Sequence, residues 1–174
     1  EDFKVNLKPD ESFVVFLESY ENNRLDENIL IRVFFDNNSI KMVDLSDQYN
    51  EVKLNIKKTL DSVNLVSWPP QDFATIESNK LFKILFSGIP LEDIQQNDLL
   101  IKNNGIISTL PFNILVKNYD EDPQNYETVS WLVDNNNIIN IASFKYFFTY
   151  KEKKSIAKTF LGIGNPDFKK KEKE

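Results

Sequence analysis

An α/β fold is what this sequence predicts: a mixed sheet with flanking helices, preceded by an N-terminal antiparallel β-meander. Three observations carry it. Within the first 46 residues, three apolar runs are separated only by polar stretches. Tyr49, Val52, Ile56, Leu60 and Val63 then step by three and four, which is one face of a helix. From Asp47 onward helix-type and strand-type patterns alternate, the order of parallel strands joined by crossover helices.

The elements follow in order. Phe13–Leu17 is the first strand, with a polar stretch at Tyr20–Asn28 behind it. Ile29–Phe35 is apolar except for Arg32, and Asp36-Asn37-Asn38-Ser39 leads into Ile40–Leu45. Two such runs across a short Asn-rich turn read as a hairpin. Ser46 or Asp47 is placed to cap the helix that opens near Tyr49. Ser67-Trp68-Pro69-Pro70 breaks the chain. A second helix spans Ile76–Phe86 and stops at Gly88 and Pro90; Leu91–Gln96 is a helical turn. Leu99–Lys102 is short and apolar, as a strand buried on both faces should be.

After the turn Asn103-Asn104-Gly105, the run Ile106-Ile107 stops at Leu110-Pro111-Phe112. Proline suits the first turn of a helix and holds the residue before it extended. The spacing predicts a short extended piece and a helix opening at Pro111, with Leu110, Phe112 and Leu115 buried. Tyr119–Glu127 is a polar loop, Asn137–Ala142 a strand, Phe144–Lys151 an aromatic helix and Thr159–Ile163 a last strand. No repeat of about 20 to 50 residues appears. Residues 1–168 form one domain: 1–46 the meander, 47–96 the helices and 97–168 the α/β part, with 169–174 a charged tail.

Composition bounds the function. A chain of 174 residues with 41% apolar content and 14 Phe fills one core, and 13% aromatic residues argue against disorder. No apolar run approaches the ~20 residues of a spanning helix, and no signal peptide is visible, so no membrane partner is expected. The chain opens on Glu1 rather than Met, which implies an upstream segment removed by processing or excision. A cytoplasmic location is the expectation, with secretion left open by that missing start. Heavy use of Asn, Lys and Ile is associated with AT-rich bacterial coding. Net charge is −6, split into 13 basic and 23 acidic side chains over 1–150 and eight Lys against four acids over 151–174. An acidic body disfavours nucleic acid, whose binding rests on phosphate neutralisation.

Cofactor and catalytic motifs are weak. Gly162-Ile163-Gly164-Asn165-Pro166 lacks the further Gly, the Lys and the hydroxyl of a phosphate loop and reads as a strand entering an Asn-Pro turn. Asp44 with Asp47, Glu92 with Asp93, and Asp120-Glu121-Asp122 lack calcium-loop spacing and read as solvated loops or helix starts. Ser108 and Thr109 are the hydroxyls nearest the presumed sheet centre. With no His in the chain they have only Lys, Asp or Glu as bases, and capping a helix at Pro111 explains them. Phe144, Tyr146, Phe147, Phe148 and Tyr150 form either a stacking platform or a packed helix. Asn37-Asn38-Ser39 matches a glycosylation acceptor used only in secreted eukaryotic proteins. No cofactor is expected and no metal ligand is nominated, with Mg²⁺, which needs only one or two carboxylates, left open.

Several strings together resemble one family. Asn104-Gly105 through Leu110-Pro111-Phe112 to Leu115 is similar to the Gly…Leu-Pro-Phe…Leu string of the CHAT domain, the caspase- and separase-like cysteine peptidase family. Ser130-Trp131-Leu132-Val133 with Ile138–Ser143 resembles a second family segment, and Phe160-Leu161-Gly162-Ile163-Gly164-Asn165-Pro166-Asp167 its strand and turn. Asn79–Leu85 with Pro90-Leu91, and Leu7–Val15, resemble the helix and first strand. The matches run from about residue 7 to 168 and imply a caspase-like sheet, with Gly105, Leu110, Pro111, Phe112, Leu115, Trp131, Gly162, Gly164, Asn165 and Pro166 as its structural motif.

The departure is as informative. In the family a His after one strand and a Cys at the end of the next form the catalytic dyad, both beyond the Gly-Ile-Gly segment. This chain holds no Cys and no His, and no other side chain replaces a thiolate nucleophile without a different mechanism. The resemblance therefore implies the front half of a CHAT domain, inactive alone, whose complete form is a cysteine peptidase. Its partners would be protein: the missing C-terminal half, an upstream repeat or sensor domain, or a substrate, with self-association through the open sheet. The alternative is a non-catalytic binding module, a pseudo-peptidase, in a regulatory assembly.

Overall fold

Alternation along the strands sorts the sheet into two faces. In β1 (Glu11–Tyr20), Val14 and Phe16 join the helix-side core, while Phe13 and Val15 join a smaller cluster on the opposite face. β2 (Asn28–Phe35) pairs antiparallel with β1 from Phe13↔Phe35 to Tyr20↔Asn28, and β3 (Ile40–Asp44) pairs antiparallel with β2. Asp36 closes the second hairpin, its carboxylate accepting Ser39 N at 2.5 Å and Ser39 Oγ at 2.8 Å. The computed structural model describes residues 7–20, 28–36, 39–63, 72–94 and 98–143.

On the other side of β1 lies β4 (Asp98–Lys102), parallel to it, and then β7 (Ile138–Asn140), parallel to β4. The strand order is β3-β2-β1-β4-β7. The sheet is therefore mixed, and the N-terminal meander is one half of it, with β1 the strand shared between the antiparallel and parallel halves.

Two helices, α1 (Tyr49–Ser62) and α2 (Thr75–Leu85), and the short α3 (Leu91–Ile94) cover one face. Tyr49, Val52 and Ile56 are buried as their spacing predicts, together with Asn55 and Thr59. Val63 is exposed because it is the cap residue beyond the last turn. Neither Ser46 nor Asp47 caps α1: a 3₁₀ turn, Ser46–Gln48, intervenes. The Ser46 hydroxyl instead accepts Leu30 N at 3.0 Å and donates to Asp44, so it ties the turn to β2 and β3. At the far end of α2, Gly88 at φ 68° turns the chain before Pro90, a conformation that glycine adopts without steric cost.

Arg32, the charged residue in an otherwise apolar strand, points into the helix side and is fully buried. Its Nη1 donates to Leu85 O at 3.1 Å and Ser87 O at 2.6 Å, placing a cation on the last carbonyls of α2. Burial holds its pKa below the usual value. Lys41 on β3 likewise reaches the helix layer and pairs with Asp93 at 2.8 Å.

The chain after β4 corrects the expectation of a helix at Pro111. Gly105–Thr109, expected to be the end of a turn and then a short extended piece from Ile106, is a 3₁₀ turn; Leu110 and Pro111 are extended, and Phe112–Ile114 is a single 3₁₀ turn. β5 (Val116–Asn118) follows at once and pairs antiparallel with β6 (Ser130–Trp131), which runs into the 3₁₀ turn Leu132–Asp134. The physical cause is capture of this backbone by α2. Ser78 Oγ donates to Ile114 O at 2.8 Å and accepts Val116 N at 3.0 Å, and Asn79 Nδ2 donates to Val116 O and Lys117 O at 3.1 and 2.9 Å. Those bonds hold the backbone where a helix ladder would otherwise claim it.

The helix expected over 144–151, the strand over 159–163 and the tail 169–174 lie outside the described residues. Among the described residues no helix is long and apolar enough to cross a membrane.

Candidate functional site

The site is built from a carboxylate outward. Glu18 sits near the end of β1 on the helix side and is buried. Its Oε1 accepts Tyr49 Oη at 2.7 Å and its Oε2 accepts Ile106 N at 2.6 Å. Asn104 locks the same strand residue through its backbone: Glu18 N donates to Asn104 Oδ1 at 2.7 Å and Asn104 Nδ2 donates to Glu18 O at 2.9 Å. A carboxylate on the first turn of the 3₁₀ segment satisfies a donor that the turn itself leaves unpaired. Gly105 lies between them at φ 58°, and a Cβ there would stand 2.0 Å from Glu18 Oε2. Glycine is thus required twice, for the backbone angle and for the space.

This anchoring sets the rest of the motif. Ile107, Leu110, Phe112 and Leu115 enter the main core, and Phe112 stacks on Phe16 with ring centroids 5.6 Å apart. Leu110, Phe112 and Leu115 are buried as their spacing predicts, while Pro111 is exposed. Trp131 packs against Phe73 at 5.2 Å, and its backbone N–H donates to Asp134 Oδ2 at 2.7 Å. Gly162, Gly164, Asn165 and Pro166 lie outside the described residues.

Fixed in this way, the motif forms one wall of a cleft of about 410 Å³ at the carboxyl ends of β4 and β7, where open α/β sheets place ligands. Lys102, Asn103, Ser108, Thr109, Pro111 and Asn140 line it. The hydroxyls are held by their own turn: Ser108 Oγ donates to Gly105 O at 2.6 Å and Thr109 Oγ1 to Ile106 O at 2.7 Å. Neither donates to a carboxylate or a lysine, so neither has the nucleophile–base geometry of covalent catalysis. Lys102 Nζ donates to Asn103 O at 3.2 Å. The cleft offers amide, hydroxyl and ammonium groups beside the apolar side chains of Leu110, Ile141 and Ala142. The role of Ser108 and Thr109 as caps of a Pro111 helix is corrected with that helix.

Two of the acidic groups weighed from the sequence are bonded within the chain. Asp44 accepts Ser46 N at 2.9 Å and the Ser46 hydroxyl, which holds its carboxyl below the usual range, and Asp93 pairs with Lys41. Among the described residues no group of three or more acidic, His or Cys side chains is placed to hold a metal.

The opposite face of the sheet differs in character. Paired register puts Leu17, Ile29, Ile40, Met42 and Ile139 on it, and all are exposed, Met42 at 71% and Ile40 at 55%. No protein-family model matches the sequence, and no curated protein matches it.

Proposed function

We propose that this chain is a non-catalytic scaffold, the front half of a CHAT-type domain, that works by presenting its sheet to further protein. The observation that carries this reading is the apolar second face. A sheet with one wet face alternates apolar and polar residues. Here the strands are apolar on both sides, yet Leu17, Ile29, Ile40 and Met42 stay open to solvent. Contiguous apolar surface of that kind marks an interaction site. Resemblance supplies the partner class: the catalytic half carrying the His and Cys this chain does not have, or the upstream sensor region. The cleft at the ends of β4 and β7 would then border, not perform, the chemistry.

A second reading, a self-contained binding module, draws support from the helix side, where Glu18, Arg32, Ser78 and Asn79 close the core with internal bonds. A hydrophobic dye separates the two. The scaffold reading expects strong dye fluorescence from the cooperatively folded chain, reduced by Leu17→Lys. A folded chain that leaves the dye dark refutes it.

A further inference from the structure

We infer that the free edge of β3 pairs antiparallel with β3 of a second copy, giving a two-fold dimer with one continuous sheet. β3 ends the strand order, and among the described residues nothing hydrogen-bonds to its outer side. An open edge is a template for pairing, which folded proteins ordinarily block with a charge, a proline or a bulge. This strand, Ile-Lys-Met-Val-Asp, has no proline, and the β2–β3 register runs without a shift. Both its charges are consumed within the chain: Lys41 turns to the helix side and pairs with Asp93, and Asp44 is bound by Ser46. The residues left at the edge on the open face are the two most exposed large hydrophobics of the described chain, Met42 and Ile40.

Self-pairing centred on Met42 is electrostatically permitted. It sets Met42 against its own copy, Ile40 against Asp44 and Lys41 against Val43, so no like charges face each other. The closed two-fold matches one patch to itself and leaves no second edge on β3, which favours a dimer over a filament. Five residues of strand bury less than the ~800 Å² per partner of a standard interface, so the dimer is weak and reversible. This inference rests on the scaffold reading, since both use the sheet's open side, but it names a different contact.

The test is the mass of the purified chain by light scattering across a dilution series. The expected result is a concentration-dependent shift from 20.3 kDa to twice that value. Met42→Lys, which sets two ammonium groups opposite each other, should raise the concentration needed for dimer at least tenfold, and Met42→Leu should not. Should Met42→Lys fail to fold, Ile40→Lys serves in its place. A monomer at all concentrations overturns the inference. So does a dimer indifferent to Met42→Lys, or one that Leu17→Lys dissolves while Met42→Lys does not. Dye binding by a strict monomer leaves the scaffold reading standing, whereas a Met42-dependent dimer that leaves the dye dark removes that reading alone.

Discussion

Replacing Gly105 by alanine tests whether the Glu18 anchor holds the motif together. The new Cβ would meet Glu18 Oε2 at 2.0 Å, Cδ at 2.3 Å and Oε1 at 2.8 Å, so the carboxylate has to leave. It would abandon Tyr49 Oη and Ile106 N. An alanine at positive φ costs about 1–2 kcal/mol. Each donor left unpaired costs a further ~1–3 kcal/mol where water cannot reach it. Glu18 is a flexible side chain and recovers some hydration by swinging out, which places the total at roughly 3–5 kcal/mol. For a domain of this size that lowers Tm by roughly 6–20 °C. The assay is thermal unfolding of four proteins: parent, Gly105→Ala, Glu18→Ala and the double variant. Because Glu18→Ala removes the clashing carboxylate, Gly105→Ala should cost only about 1–2 kcal/mol in that background. Strictly additive losses, or a Gly105→Ala protein that melts with the parent, would refute the account.

Phe112→Ala should cost ~3–5 kcal/mol, since Phe112 is buried against Phe16; a denaturant midpoint equal to the parent's would show the site to be unpacked. Asn79→Leu should cost about 2–5 kcal/mol by stranding Val116 O and Lys117 O, and amide exchange should show β5 opening ahead of β4; unchanged protection in β5 would contradict the clamp. Lys117, buried and bonded to Asn135 Oδ1 at 2.7 Å, has its pKa lowered by burial, with Asp134 opposing. The folded state therefore releases its proton before the unfolded state does. The parent should gain stability relative to Lys117→Met as pH rises from neutrality through that lowered pKa toward the ordinary lysine value. A constant difference across that range would mean no burial cost. The chain alone should also show no peptidase activity, holding neither Cys nor His; turnover abolished by a single substitution in it would overturn that.

Much of the fold was legible because period and punctuation agree in it. In the meander apolar runs are parted by polar turns, α1 carries a one-sided apolar stripe, and Gly88 with Pro90 ends α2 where such residues end helices. The mixed sheet was legible as a class. Its join was not, because nothing local in Phe13–Leu17 says that β1 takes an antiparallel partner on one side and a parallel one on the other. Arg32 was visible as an oddity in an apolar run, but its reason lies on Leu85 and Ser87, more than fifty positions away.

The failure at Pro111 has the same origin and bears on the site. Locally, Leu-Pro-Phe with apolar residues behind it satisfies a helix start. What defeats the helix is a pair of residues, Ser78 and Asn79, that inside α2 read as neutral surface polars. They are buried, and their side chains claim Ile114 O, Val116 N, Val116 O and Lys117 O. Once those groups are satisfied from the side, extension costs nothing in hydrogen bonds, and Phe112 and Leu115 can still reach the core from the two ends of a single 3₁₀ turn. The Glu18–Gly105 contact follows the same rule from the other end: a buried carboxylate without a basic partner would look like a candidate acid, yet its geometry assigns it to a turn. Arg32 closes the end of α2, while Glu18, Ser78 and Asn79 are thus spent on holding irregular backbone between the ends of β4 and β7. That is why the wall of the cleft there is fixed by hydrogen bonds from within the chain.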